Sequence, residues 1–580
     1  MSETLDRLAR LPPEKRLLLQ KLLQEKAARG DGSRQGIRRR EAADPSPLSF
    51  AQLRLWLTDR MQPGSPAYNL PSALRLHGAL APRVLARALG EIARRHHSLR
   101  TVFTVRDGEP VQTVVPPAAN PLPAVDLGGL APTAREGEAQ RLAVESARRP
   151  FDLERGPPMR AAVLRLGPEE WVVLLVVHHI VSDGWSMGIF VAELSALYDA
   201  FSRGLPSPLP EPELQYADFA AWQREHLSGA RLEEALGFWR RRLAGAPPVL
   251  DLPTDRPRPA VADPRGEHRH VSVDQWTTAA LRELAHAGGA TPFMALLAAW
   301  QALLGRWAGQ DDVVVGSPVA GRTQVETEGL IGVFVNTLVI RTDLSGDPTF
   351  RELLARVRDT VLEAQAHQEV PFERLVEELA PERTLRHTPL FQAMFTLLAG
   401  SGADVEDGLR LGTHRARPMP SESGAARFDL ELSLTDGGEE VFGRLGFRPG
   451  LFDAATADRI VSHFQALLAG VVRHPDRRLS EIGLMAEAER ERVLAAWNDT
   501  ARPYPPLPAH LLFARQAART PDAVAVLAAA GPLTYAELDA RADALAARLR
   551  GLGVGPEVPV GLCVERTPEM VVGVLGIWKA

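Results

Sequence analysis

The stretch that most constrains this chain is Trp171-Val172-Val173-Leu174-Leu175-Val176-Val177, followed at once by His178-His179-Ile180-Val181-Ser182-Asp183-Gly184. The apolar run is too short to cross a bilayer, which takes about 20 residues of helix. Rich in β-branched residues and bounded by turn formers, it reads as a buried strand. Ser182, Asp183 and Gly184 break it. Beyond them Met187, Phe190, Val191, Leu194, Tyr198 and Phe201 recur at helical spacing, with Ser186 placed to cap the helix start. A stiff strand therefore delivers two imidazoles to a turn that feeds a helix.

Side chains alternate across a strand, so His178 and His179 face opposite sides and only one of them looks into a given cleft. Asp183 is placed to accept a hydrogen bond within the turn, and Gly184 allows a positive φ or a close backbone approach. That is the layout of an oriented base on a rigid platform. Two plainer readings compete with it. A histidine at a strand end most often serves packing, and His with Asp is also a metal-ligand set. The opposed faces count against two histidines on one ion, and the chain has no HExxH or CxxC cluster.

Length and composition narrow the class. At 580 residues the chain exceeds what one core usually supports, so several domains or lobes are expected. A net charge of −5 leaves no footprint for nucleic acid. The one cysteine, Cys563, excludes an intramolecular disulfide and fits a reducing cytoplasm. Neither a signal peptide nor a membrane span is read in the chain.

Along the chain, residues 13–28 carry Leu18, Leu19, Leu22 and Leu23 on one side of a helix, and 30–47 read as a flexible tether. Ser49 is placed to cap a helix that opens with Phe50. Residues 81–103 read as a helix running through Arg95 to Phe103, and 401–426, poor in apolar residues, as a long loop. Proline-rich stretches at 247–259 and 498–508 mark boundaries. The expected organisation is 1–47 helix and tether, 48–225 first lobe, 226–484 second lobe, 485–507 linker and 508–580 the start of a further domain. The chain ends on an apolar run, which reads as a fragment of a longer protein.

Taken together the segments resemble the condensation domains of non-ribosomal peptide synthetases. Residues 49–56, 95–103, 178–186, 216–223, 331–337, 367–373 and, more loosely, 386–390 are similar to that family's motifs in its order, with His178 to Ser186 matching HHxxxDGxS. From about Pro508 the chain resembles the opening of an adenylation domain, on Leu533-Thr534-Tyr535-Ala536-Glu537-Leu538 and Trp578-Lys579-Ala580. The resemblance implies an α/β (α+β) fold of two chloramphenicol-acetyltransferase-like lobes in a V-shaped pseudo-dimer, with a tunnel between them.

It also implies amide formation. The amine of an acceptor aminoacyl thioester attacks a donor acyl or peptidyl thioester, both held on 4'-phosphopantetheine arms of carrier domains. His179 is the implied catalytic residue, with His178 and Asp183 supporting it. The backbone N–H of Gly184 is a candidate oxyanion donor. Asp183 is expected to pair with Arg100, Arg322 or Arg341, three candidates that the sequence leaves open. Ser186, Trp222 and Asn336 are tunnel or interface candidates; Trp222 also reads as core, and Asn336 as a strand-end turn residue.

No metal and no bound cofactor is expected, and no ATP site, because the phosphate-binding loop of the adenylation family would lie beyond Ala580. The donor carrier is expected on an upstream chain and an adenylation domain downstream, the protein being a monomer without nucleic-acid or membrane partners. The wording around Ser182-Asp183-Gly184-Trp185-Ser186 resembles the class taking an L-configured donor. Two alternatives are kept: a starter domain acylating the first amino acid with a fatty acyl group, and a non-catalytic recruitment module on the same fold.

Overall fold

The computed structural model describes residues 36–40, 45–117, 122–261, 263–379, 386–400, 409–411, 414–419, 421, 424–529 and 531–580. The expected helix at 13–28 and most of the tether at 30–47 lie outside the described residues. The chain divides into a large unit ending at Ala488 and a small one, Glu489–Ala580.

Two six-stranded sheets organise the large unit. In the first, the strand order is Leu409–Leu411, His414–Met419, Asn69–His77, Glu170–His178, Met159–Gly167 and Ala124–Asp126. The apolar run predicted as a strand occupies a central position, paired on both sides along its length. That explains its composition: Val172 to Val177 are buried on both faces. In the second sheet the order is Asn336–Asp343, Asp312–Val319, Ala393–Ala399, Leu430–Asp436, Val441–Phe447 and Glu267–Val273.

Each sheet carries its own core. Phe103, Phe190 and Tyr216 anchor the first, and Trp300, Phe350, Phe395 and Phe464 the second. The helix Pro292–Ala308 is buried nearly all round, as a sequence apolar on every side except at Gln301 and Arg306 requires. No single helix among the described residues is long and apolar enough to cross a membrane.

Two expectations need correction. The helix begun at Pro82 ends at Arg95, and Thr101–Arg106 is a strand. Thr101, Val102 and Phe103 are β-branched or aromatic, and pairing with Glu109–Val114 overrides the helical pattern before them. The stretch 401–426 is not simply a loop, because His414–Met419 pairs antiparallel with Asn69–His77. Only Ala416 and Met419 of that strand are buried, so a strand next to the sheet edge, with Arg415 and Arg417 on it, is poor in apolar residues.

This strand carries the second half of the chain into the first sheet. There is a second crossing: Leu330, Ile331, Val333 and Phe334 pack into the first core, although their neighbours on both sides belong to the second. Tyr216 fixes that segment. Its hydroxyl donates to the carbonyl of Val333 at 2.7 Å, so the Ser49 Oγ, 2.8 Å away, donates to it.

Gly332 lies flat against the same ring; a Cβ there would sit 1.8 Å from Tyr216 Cδ2. Tyr216 is 2% exposed and held at its hydroxyl, so it has no room to yield. Gly332→Ala is therefore expected to destabilise the large unit by about 1–3 kcal/mol through overpacking. A thermal or urea melt reads this directly, and an unchanged midpoint would refute the close fit.

The small unit holds the helices Ala509–Arg519, Tyr535–Gly551 and Pro568–Lys579 and the hairpin Val524–Ala528 with Gly531–Thr534. Thr534 and Glu537 form a capping box, and Leu538, Ala542, Val572 and Leu575 form a small core.

Candidate active site

The strand Glu170–His178 ends on the first imidazole, and a short 3-10 turn, His179–Val181, begins on the second. His178 turns inward. It is 3% exposed, packs edge-on against Phe151, and accepts the N–H of Ile180 at Nδ1 over 3.2 Å. Burial holds its pKa down at about 3, with the charges of His179 and Arg160 adding to the effect. It is a neutral packing residue that shapes the turn.

His179 is half-buried. Its backbone N–H donates to the carbonyl of Tyr68 at 2.8 Å, and its Nδ1 lies 2.8 Å from the carbonyl oxygen of Ser182. A carbonyl only accepts, so Nδ1 carries the hydrogen and Nε2 presents a lone pair. Burial lowers its pKa to about 4, the nearby guanidinium of Arg427 pushes the same way, and Asp183 opposes. At neutral pH this is a neutral imidazole with a fixed tautomer.

Asp183 lies at the centre of a buried network. Its Oδ1 accepts the N–H of Ser186 at 2.8 Å and caps the helix Gly184–Ser202. Its Oδ2 accepts the N–H of Phe334, on the crossing segment, at 2.8 Å. The cap is thus Asp183 and not Ser186 as the pattern predicts: the helix begins one turn earlier, at Gly184, and places Ser186 inside. From there Ser186 Oγ donates to the carbonyl of Gly332 at 2.8 Å and receives Arg322 Nη2 at 2.8 Å.

Of the three arginine candidates only Arg322 reaches Asp183, at 3.4 Å, with both side chains almost fully buried. Its guanidinium also donates to the carbonyls of Thr327 and Leu330 and lies 4.0 Å over the Phe334 ring. Arg100 instead donates to the carbonyl of Val115. Arg341 pairs with Asp312 at 2.7 Å on the adjoining strand. Both are engaged elsewhere in the fold.

Gly184 has neither a positive φ nor a close neighbour: it starts the helix, is exposed, and a Cβ there would meet nothing within 4 Å. Its N–H belongs to the first helical turn, whose donors lack intrahelical acceptors. Asn336 shows the strand-end role. Its Nδ2 donates to the carbonyls of Gln368 and Val370 at 2.8 and 2.7 Å, and its Oδ1 accepts the N–H of Phe372 at 3.0 Å. Trp222 is half-buried and stacked on His226, with ring centroids 4.4 Å apart.

Two cavities of about 660 Å³ each occupy this part of the large unit. Ala51, Trp222, Phe334, Asn336 and Glu373 line one; Asn69, Gly184, Met187, Arg427 and Glu431 line the other. His179 lines neither, but charges associated with each act on it. Arg54, which pairs with Glu373 at 2.7 Å, stands with the first, and Arg427, which pairs with Glu431 at 3.2 Å, with the second. Sequence reading assigned no role to Arg427 or to the Arg54–Glu373 pair. Arg54 lies within the first matched motif, whereas no spacing or motif marks Arg427. Among the described residues no group of three or more His, Cys, Asp or Glu is placed to hold a metal ion.

Comparison with known proteins accords with this geometry. The family model for the condensation domain matches residues 42–494, and that for AMP-binding enzymes matches 513–580. The chain is 48% identical over 536 residues to a component of the linear gramicidin synthase of Brevibacillus parabrevis, covering 92% of this chain and 7% of that protein. It is 42% identical over 584 residues to phosphinothricin tripeptide synthetase PhsC of Streptomyces viridochromogenes, covering 100% of this chain and 53% of that one. The chain thus spans from a small fraction to about half the length of these relatives.

Among solved structures, the X-domain from teicoplanin biosynthesis in complex with OxyB is 31% identical, with a TM-score of 0.72, covering 79% of this chain and 100% of that one. The four-domain nonribosomal peptide synthetase holo-AB3403 shares the fold at 24% identity, with a TM-score of 0.82, covering 94% of this chain and 42% of that one.

Proposed function

This chain belongs to the condensation-domain family, and from that premise we propose that it joins two thioester-borne substrates through a new amide bond, with His179 at the point of reaction. Condensation domains act on phosphopantetheine-bound substrates and work with carrier and adenylation domains. In the reaction proposed, the acceptor's amine nitrogen attacks the donor's thioester carbonyl. The C–N bond forms, the tetrahedral intermediate collapses, and the C–S bond breaks to release the donor carrier's thiol. The amine's proton passes to His179 Nε2 and from there to the departing sulfur.

The observation that carries this reading is the hydrogen bond from His179 Nδ1 to the Ser182 carbonyl. It leaves the lone pair of Nε2 to orient the amine or take its proton. The donor is read as L-configured and delivered by an upstream chain, and the first-turn N–H of Gly184 as an oxyanion donor. The starter reading would replace the donor by a fatty acyl thioester. The likeness to an X-domain solved in complex with a second protein favours recruitment as the second reading. The intact histidine pair favours catalysis.

The test is to combine the chain with a donor-loaded and an acceptor-loaded carrier and to weigh the carriers by intact mass. Transfer of the donor to the acceptor carrier supports the proposal; no product from any cognate pair, with firm binding of a partner protein, would favour recruitment.

The pH profile adds a check. His179 is already neutral well below pH 6.5, so it does not set the acid limb of kcat/KM. That limb is expected at the α-amino pKa of the acceptor, about 7.7–8.0. A limb centred at 6.5 would contradict the neutral imidazole. The folded-state pKa of His179 is depressed, so its contribution to stability is complete above about pH 6.5 and is lost as pH falls towards 4.

A further inference from the structure

The cavity lined by Gly184 has an apolar annex. A pocket of about 30 Å³ lies next to it, and Ser72, Leu74 and Val191 line both, so the two adjoin at these three residues. The rest of the annex is hydrocarbon, chiefly Leu76, Ala161, Leu175, Phe190 and Leu194.

The helix that starts at Gly184 leads into it. Met187, Val191 and Leu194 follow at intervals of four and three and so share one helix face. Met187 and Val191 line the cavity, Val191 and Leu194 the annex. At 1.5 Å per residue, Val191 is about 10 Å along the helix from Gly184. A continuous apolar stripe thus runs from beside the Asp183 cap into the annex.

Protein interiors hold few voids larger than a water molecule. This one is large enough for water but offers it poor terms: a buried water needs two to four polar partners, and Ser72 supplies the only polar side chain in the lining. A hydrocarbon group suits the space; a polar or charged one would lose its hydration without replacement.

We propose that this annex receives the apolar terminus of one thioester-borne substrate, a methyl-sized branch of the kind that ends a valine, leucine or isoleucine side chain or a short branched acyl group. Val191, Leu74 and Ala161 are then specificity-determining residues. The inference rests on the condensation reading above and adds the substrate class to it.

Ala161→Val tests it, because Ala161 lines the annex and not the cavity beside Gly184. One series uses branched and unbranched donors against a glycyl acceptor, the other branched and unbranched acceptors against an acetyl donor, all carrier-loaded. In the series whose substrate uses the annex, kcat/KM for branched groups is expected to fall about tenfold, the lower range for one methylene in an apolar pocket. Glycyl, alanyl and acetyl substrates should stay within about twofold, and thermal stability should not fall. The series that responds identifies the substrate as donor or acceptor.

Equal loss for branched and unbranched substrates, or no loss for either in a folded variant, would overturn the assignment. If Ala161→Val fails to fold, Val191→Ala replaces it: removing two methyl groups where cavity and annex adjoin should raise relative kcat/KM for longer apolar groups, and an unchanged preference would overturn the annex. A wild-type chain inactive with every pair would overturn the condensation reading itself. Unselective activity in the wild type would overturn only the annex.

Discussion

Asp183→Ala is expected to leave the large unit unfolded or insoluble, the largest stability effect of any single substitution in the site. The carboxylate accepts N–H groups from Ser186 and Phe334 and faces the guanidinium of Arg322, almost entirely out of water. Removing one partner of a buried pair costs about 3–5 kcal/mol, because the other charge is left uncompensated. Losing a helix N-cap adds about 1 kcal/mol. A typical domain has only about 5–15 kcal/mol in total.

The substitution also releases the Phe334 segment, which packs into the first core from the second half of the chain. Asp183→Asn is the gentler control. It keeps the volume and one carbonyl oxygen for capping, but its amide would turn a donor towards an N–H or the guanidinium. Circular dichroism and urea titration of both variants are the measurement. A soluble Asp183→Ala protein with the wild-type midpoint would remove Asp183 from the structural role argued for it.

This network also shows what the sequence made legible and what it did not. The strand Glu170–His178 was legible because it is central and buried on both faces, which forces an unbroken apolar run. The helix after it was legible because one face is buried and the period follows. The cap was misplaced within the same turn: both Asp183 and Ser186 are good capping residues, and only the start of the helix at Gly184 decides between them.

Long-range partners were beyond local pattern. Asp183 and Arg322 are 139 residues apart, and nothing near Arg100, Arg322 or Arg341 distinguishes them until the backbone carbonyls and Asp312 have claimed their own. The strand His414–Met419 was missed for a related reason. It sits towards a sheet edge, with few buried side chains, and its partner strand lies some 340 residues earlier. Its pairing depends on backbone groups, which every sequence has.

His179→Ala should behave in the opposite way, with the fold kept and the reaction lost. The bond from its backbone N–H to Tyr68 survives the substitution, and the side chain gives up only one neutral hydrogen bond, to Ser182, worth about 1 kcal/mol. No buried charge is orphaned, since the imidazole is neutral near pH 7. Thermal stability should therefore drop far less than in Asp183→Ala.

The reaction loses its base and its amine-orienting acceptor together. General-base assistance is typically worth about 10²–10⁴-fold, so kcat for amide formation should fall by that range. It should not fall to the uncatalysed rate. Near pH 7 roughly a tenth of an α-amine is already free base, and alignment of two tethered reactants alone supplies about 7–11 kcal/mol. Single-turnover assays with preloaded carriers would separate kcat from carrier affinity, which the substitution leaves untouched. A folded His179→Ala variant with undiminished single-turnover rate would show that positioning by the rest of the chain suffices, and that Nε2 takes no part in the bond-forming step.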